Sequence, residues 1–121
     1  MIAGLSVLAA SAMPAMAQGG DVVKGKAVFM RCAICHSVDP GVNRIGPSLS
    51  GLFGSKAGVG SFAFSPAMTA AKITWNAKTL DAFVTKPSAV VPGTKMMFAG
   101  ISNPDDRANL IAYLGSATKP K

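Results

Sequence analysis

The sequence predicts an all-α domain with long loops, and three observations carry that reading. After the apolar N-terminus there is no sustained apolar–polar alternation of the kind a half-buried strand shows. Helix-start signals stand at Asp21, Ser65 and Asn103. Between the first and second of these, residues 37–60 read "SVDPGVNRIGPSLSGLFGSKAGVG", dense in Gly, Pro, Ser and Asn and without periodicity. A chain of 121 residues is a single domain at most.

The first helix runs from its Asp21 cap to about Ala33. Gly25, Phe29 and Cys32 fall at i, i+4 and i+7 and share one face. A glycine inside a helix costs about 1 kcal/mol relative to alanine, so Gly25 marks a place where something must approach the backbone closely. Residues 37–60 are too long and irregular for an ordinary connection in a compact domain. They make sense wrapped around a rigid object rather than another chain segment.

Ser65 as cap and Pro66 as first helical residue predict a short helix to about Lys72. A further helix spans about Asn76 to Thr85, and Lys86 is pushed extended by Pro87. "VVPGTKMMFAG" reads as extended with a Pro92-Gly93 turn. In the last helix Asn103 caps and Pro104 takes the first position. Asp105 and Asp106 sit in the first turn, where the helix dipole favours anions. Leu110, Tyr113, Leu114 and Ala117 form its apolar face. Three main helices and a short one make a thin core for so much loop. A large bound apolar group would repair it.

Half of the residues are hydrophobic, and 12 Lys and Arg oppose five Asp, with no Glu, for a formal charge of +7. Residues 1–17 carry no charge and end in Ala15-Met16-Ala17, a small-x-small pattern. They read as a signal peptide cleaved after Ala17, leaving a domain over 18–121, although no basic residue precedes the apolar stretch. The expectation is export to the periplasm. The competing expectation is that the segment is kept as a membrane tether. The cations are scattered singly rather than in blocks, which speaks against nucleic acid and suits an acidic protein partner.

The chemistry concentrates in "RCAICHSVDP", which holds both cysteines, Cys32 and Cys35, and the single histidine, His36. Structural zinc needs four ligands, usually Cys or His, and the chain has only two Cys and one His. A redox Cys-x-x-Cys pair belongs at a helix N-terminus in a strand–helix context. Here the pair ends a helix, and His36 would go unexplained. Cys-x-x-Cys-His is instead the attachment pattern of haem c. Two thiols about one turn apart add to the two vinyl groups on one porphyrin edge, and the following imidazole lies under the ring. His36 is then the proximal iron ligand. The opposite ligand is a methionine by softness. Met30 lies too near the attachment site, and Met68 sits on the short helix, where a core role is favoured. Met96 and Met97 follow the Pro92-Gly93 turn, and spacing does not separate them.

With "GDVVKGKAVF", "CAICH", "GPSLSGLFG", Trp75, "TLDAFVTKP", "VPGTKM" and "LIAYL", the chain from about Gly20 to Ala117 resembles the class I cytochromes c, mitochondrial and bacterial. The resemblance implies the cytochrome c fold, with long loops wrapped around one covalent haem c. It implies that Met96 is the axial methionine and Met97 packing. It implies that the Pro47 carbonyl accepts the His36 imidazole N–H, that Trp75 donates to a haem propionate, and that Gly25 and Phe29 cross the last helix at Leu110 and Tyr113.

It further implies a monomeric one-electron carrier, not an enzyme, shuttling between respiratory or photosynthetic complexes. Those partners would be a quinol–cytochrome c reductase and a terminal oxidase or similar, reached by steering through Lys26, Lys86 and Lys95, with the membrane met only through them. The competing function is a haem peroxidase or gas-binding protein with an open sixth position. Several residues depart from the family. Phe83 replaces a tyrosine, Phe62 and Phe64 replace tyrosines near the propionates, Ser55 replaces an arginine, and Met68 replaces an asparagine. They imply a drier pocket and a potential different from the mitochondrial type.

Overall fold

Side-chain caps set the helix starts in the computed structural model, which describes residues 19–119. The signal segment expected over 1–17 lies outside the described residues. The Asp21 carboxylate accepts the Lys24 N–H at 3.0 Å and opens α1, Val22–Phe29. The Ser65 hydroxyl accepts from Met68 and opens α2, Pro66–Ala70. Asn76 and Thr79 cap each other reciprocally at the start of α3, Ala77–Thr85. Lys86 is extended, and Pro87 then starts a single turn, α4, Pro87–Val90. Asn103 accepts from Asp105 and Asp106 at 2.8 and 3.1 Å and opens α5, Pro104–Ala117.

Three expectations about element bounds are corrected. The first helix stops at Phe29 rather than Ala33, because Met30, Arg31 and Cys32 bond three residues back instead of four and tighten the chain into turns. The short helix stops at Ala70, two residues before Lys72. Val90, read as the start of an extended stretch, instead closes the single α4 turn over residues 87–90. Among the described residues there is no strand, only an isolated antiparallel bridge between Lys56 and Thr74. No helix among them is long and apolar enough to cross a membrane.

The long loop satisfies its backbone partly through bonds within itself and partly through the segment before α3, since buried peptide groups need partners. The Leu49 N–H reaches the Ser37 carbonyl at 2.8 Å. Gly54 and Ala57 donate to Trp75 and Ile73, and Trp75 donates back to Ser55. Residues 54–57 and 73–75 thus run side by side and hold Trp75 in place.

Helices α1 and α5 cross in direct backbone contact. A Cβ on Gly25 would overlap the carbonyl of Asn109 and lie 2.8 Å from the Tyr113 Cβ. The Asp21 N–H donates to the Asn109 side chain at 2.8 Å, and the Phe29 and Tyr113 rings meet at 5.2 Å. The mid-helix glycine is therefore a close-approach residue, and the crossing aims the turn after Phe29, with its cysteines, at the interior. Replacing Gly25 with alanine should lower stability by about 1–3 kcal/mol through overpacking. Urea unfolding of the holoprotein measures this, and an unchanged midpoint would mean the helices can part at no cost.

Candidate functional site

The site is built upward from the turns that follow α1. The N–H groups of Cys35 and His36 both donate to the Cys32 carbonyl, at 3.0 and 2.8 Å, so the two thiols and the imidazole lie on one tight loop. Both cysteines are free and half-buried. Burial pushes the Cys32 thiol up to about 11, against the pull of Arg31. A thiol held so high is protonated at neutral pH and is a poor exchange nucleophile, which disfavours a cycling disulfide. Among the described residues no cluster of three His, Cys, Asp or Glu side chains is placed to hold a metal ion by itself.

His36 is fixed by a second chain segment. Its Nδ1 lies 2.7 Å from the Pro47 carbonyl. A carbonyl can only accept, so Nδ1 carries the proton and Nε2 keeps its lone pair. Burial lowers the His36 pKa, opposed by the smaller effect of that hydrogen bond, and favours the neutral ring that a metal ligand needs. Gly46, whose importance the sequence does not reveal, packs flat on the imidazole. A Cβ there would lie 2.6 Å from Cε1 and 2.9 Å from Nδ1, and the Gly46 N–H donates to the Cys35 carbonyl at 2.7 Å.

These residues open onto a cavity of about 770 Å³, within the range of roughly 300–1,000 Å³ usual for cofactor sites. Cys32, Cys35, His36, Pro47, Trp75 and Met96 all line it, so the structure brings together the six residues singled out from sequence. Met96 is half-buried and packs against the core, whereas Met97 sits at the rim with 96 % of its surface exposed. Met68 also lines the cavity, and Met30 is exposed outside it.

The departing residues share this lining. Phe83 is buried edge-on against Trp75 at 5.1 Å, and Phe62 and Phe64 meet at 5.3 Å. The Ser55 hydroxyl donates to the Leu52 carbonyl at 2.6 Å within its own loop. The charged side chains along the wall are Arg31, Lys56 and Lys95, and no aspartate among the described residues joins them. Of the three lysines expected to steer a partner, Lys95 is at the cavity, while Lys26 and Lys86 are exposed elsewhere.

The residues present fit a haem. Two thiols and a neutral imidazole stand on one wall, a thioether is available on the wall formed by Thr94 to Phe98, and between them lie apolar surfaces with only positive charges to meet carboxylates.

Known proteins are similar to this chain over most of its length. The family model for cytochrome c matches residues 22–118. The chain is 44% identical over 116 residues to cytochrome c2 of Blastochloris viridis, covering 94% of this chain and 90% of that one. It is 46% identical over 118 residues to cytochrome c2 of Rhodomicrobium vannielii, covering 96% and 91%. It is 43% identical over 107 residues to cytochrome c of Chlamydomonas reinhardtii, covering 86% and 96%.

Placing a methyl group at Gly46 should push the imidazole off the Pro47 carbonyl. The expected cost of Gly46→Ala is about 1–3 kcal/mol, read as an earlier unfolding transition in guanidinium. A variant as stable as the parent would show that the ring has room to move.

Proposed function

The chain belongs to the cytochrome c family, whose members carry electrons on a haem c bound covalently through cysteine, and we propose that it works as a one-electron shuttle with His36 and Met96 as axial ligands. The observation that carries this reading is the 2.7 Å bond from His36 Nδ1–H to the Pro47 carbonyl on the wall that also holds both cysteines. When bound, the haem supplies an iron that gains or loses one electron.

The chain's own groups do the rest. Cys32 and Cys35 would hold the haem through thioethers, each thiol's sulfur bonding one carbon of a vinyl group and its hydrogen going to the other, an addition that would consume no oxidant. Pro47 fixes the imidazole tautomer and raises the basicity of Nε2. Met96, on a segment remote in sequence from the His36 loop, offers the soft sulfur, and the exposure of Met97 supports Met96 over it. Trp75, held by Ser55 and Gly54, offers an indole N–H, a donor only, to a carboxylate. Phe62, Phe64 and Phe83 keep water from the ring.

We further propose that the chain is exported to the periplasm and carries electrons between a quinol–cytochrome c reductase and a terminal oxidase or photosynthetic acceptor. The positive rim of Arg31, Lys56 and Lys95 and the formal charge of +7 support docking on acidic surfaces.

Two measurements test these readings. Reduced holoprotein at neutral pH should refuse carbon monoxide, Met96→Ala should bind it, and Met97→Ala should behave as the parent. Binding by the parent would overturn the Met96 assignment. Turnover with a purified partner oxidase should slow several-fold as salt rises toward 0.5 M, roughly where the screening length falls to a few ångströms. A rate indifferent to salt would rule out electrostatic steering.

A further inference from the structure

We infer that Arg107 is a positioning residue that clamps the exit of the Met96 segment and so sets how readily the Met96 sulfur is displaced. The inference rests on the reading of Met96 as a ligand.

The segment that carries Met96 is anchored mainly at its ends. Val91 and Ile101 are each 2 % exposed, and Thr94 to Phe98 between them line the cavity. The bonds inside the segment are local. Thr94 donates to the Val91 carbonyl at 3.0 Å, Met96 to the Thr94 hydroxyl at 3.2 Å, and Phe98 to the Met96 carbonyl at 3.1 Å. Local bonds give the strap a shape but do not hold it against the rest of the molecule.

The exit anchor is built from three elements. The Ile101 N–H donates to the Val84 carbonyl of α3 at 2.8 Å. Just before it, Gly100 has φ of +120°, and a Cβ there would overlap the Thr85 carbonyl, so the strap leaves in backbone contact with α3. Arg107, in the first turn of α5, reaches back over this point. Its Nη1 donates to the carbonyls of Ile101 at 3.0 Å and Ser102 at 2.9 Å, and its Nε donates to Asp81 Oδ1 of α3 at 2.8 Å.

One guanidinium thus ties the strap exit, α3 and α5 together, with its side chain only 15 % exposed. The Thr85 hydroxyl donates to the Asp81 backbone carbonyl at 2.6 Å, one turn along the same helix. A lysine cannot reproduce the clamp, because an ammonium lacks the planar fork that meets the Asp81 carboxylate and the two carbonyls from one fixed geometry. Hydrogen bonds from a charged donor are among the stronger ones in a folded chain. Loosening this exit lets the strap lift from its Ile101 end while the Val91 end stays in place, and Met96, five residues upstream of Ile101, is the side chain that moves.

The test is the rate at which cyanide binds the ferric holoprotein, followed in the visible spectrum, since cyanide enters only when the sulfur leaves. Arg107→Lys should raise the rate about tenfold and Asp81→Asn about threefold, in keeping with the loss of charged hydrogen bonds. Met96→Ala, run beside them, should bind faster than either. Should Arg107→Lys fail to fold, Asp81→Asn carries the test alone. Variants that unfold in less urea but take up cyanide at the parental rate would overturn the clamp and leave Arg107 a general stabiliser. A fast Met96→Ala with parental rates in both clamp variants would overturn the clamp and keep the ligand. A Met96→Ala no faster than the parent would overturn the ligand reading, and the clamp with it.

Discussion

Leu80, Phe83, Val84, Leu110, Leu114 and Trp75 are all buried, yet every one of them also lines the same cavity. The helices therefore form a shell rather than a solid centre. Apolar walls around some 770 Å³ are stable only if something apolar fills the space, because protein interiors are packed to crystal-like density and voids forfeit contacts. This constraint explains the long irregular loop, which bonds partly to itself and is tied to the rest of the fold at Ile73, Trp75 and Thr118. It also makes folding and haem attachment one linked process, since whatever binds the folded state alone stabilises it by mass action.

The two walls that face the haem are held very differently. On the histidine side, consecutive turns, the Gly46 contact and the Pro47 carbonyl fix the ring from two chain segments. On the methionine side the strap is shaped locally and secured at its ends. Rigidity below and end-anchoring above suit an electron carrier. Fixed ligands need little rearrangement when the charge on the iron changes, because the surrounding dipoles are already in place. With Met96 as the proposed ligand, the weaker side is where its lability would be adjusted without disturbing the attachment.

Charge follows the same division. Four of the five aspartates have tasks away from the cavity: Asp21 caps α1, Asp105 and Asp106 sit at the α5 N-terminus, and Asp81 meets Arg107. Asp106 also lies 3.8 Å from Arg31. Among the described residues the wall keeps only Arg31, Lys56 and Lys95 as charged groups, so the charge lining the cavity is of one sign. A field of one sign at that place speeds encounter with acidic partners more than it tightens the final complex.

Features that depend on a few neighbouring residues were legible in the sequence. The caps at Asp21, Ser65 and Asn103 act within four residues, and Cys32, Cys35 and His36 announce their chemistry by spacing. Gly25 could be flagged because a glycine inside a helix is costly without a reason, although the reason, Asn109, lies across the fold. What depends on remote segments was not legible. The helix end at Phe29 was missed although it is local, because periodicity does not report the tightening of hydrogen bonds from four residues to three. Gly46 looks like any loop glycine until the imidazole is seen against it, and Arg107 looks like a surface cation until Asp81 and the Ile101 carbonyl close around it. Charge carries no address: of Lys26, Lys86 and Lys95, only Lys95 lies on the cavity wall, which also holds Arg31 and Lys56. Local bonding and covalent chemistry are written in neighbouring letters. Packing distances and the direction a charge faces exist only once distant parts of the chain have met.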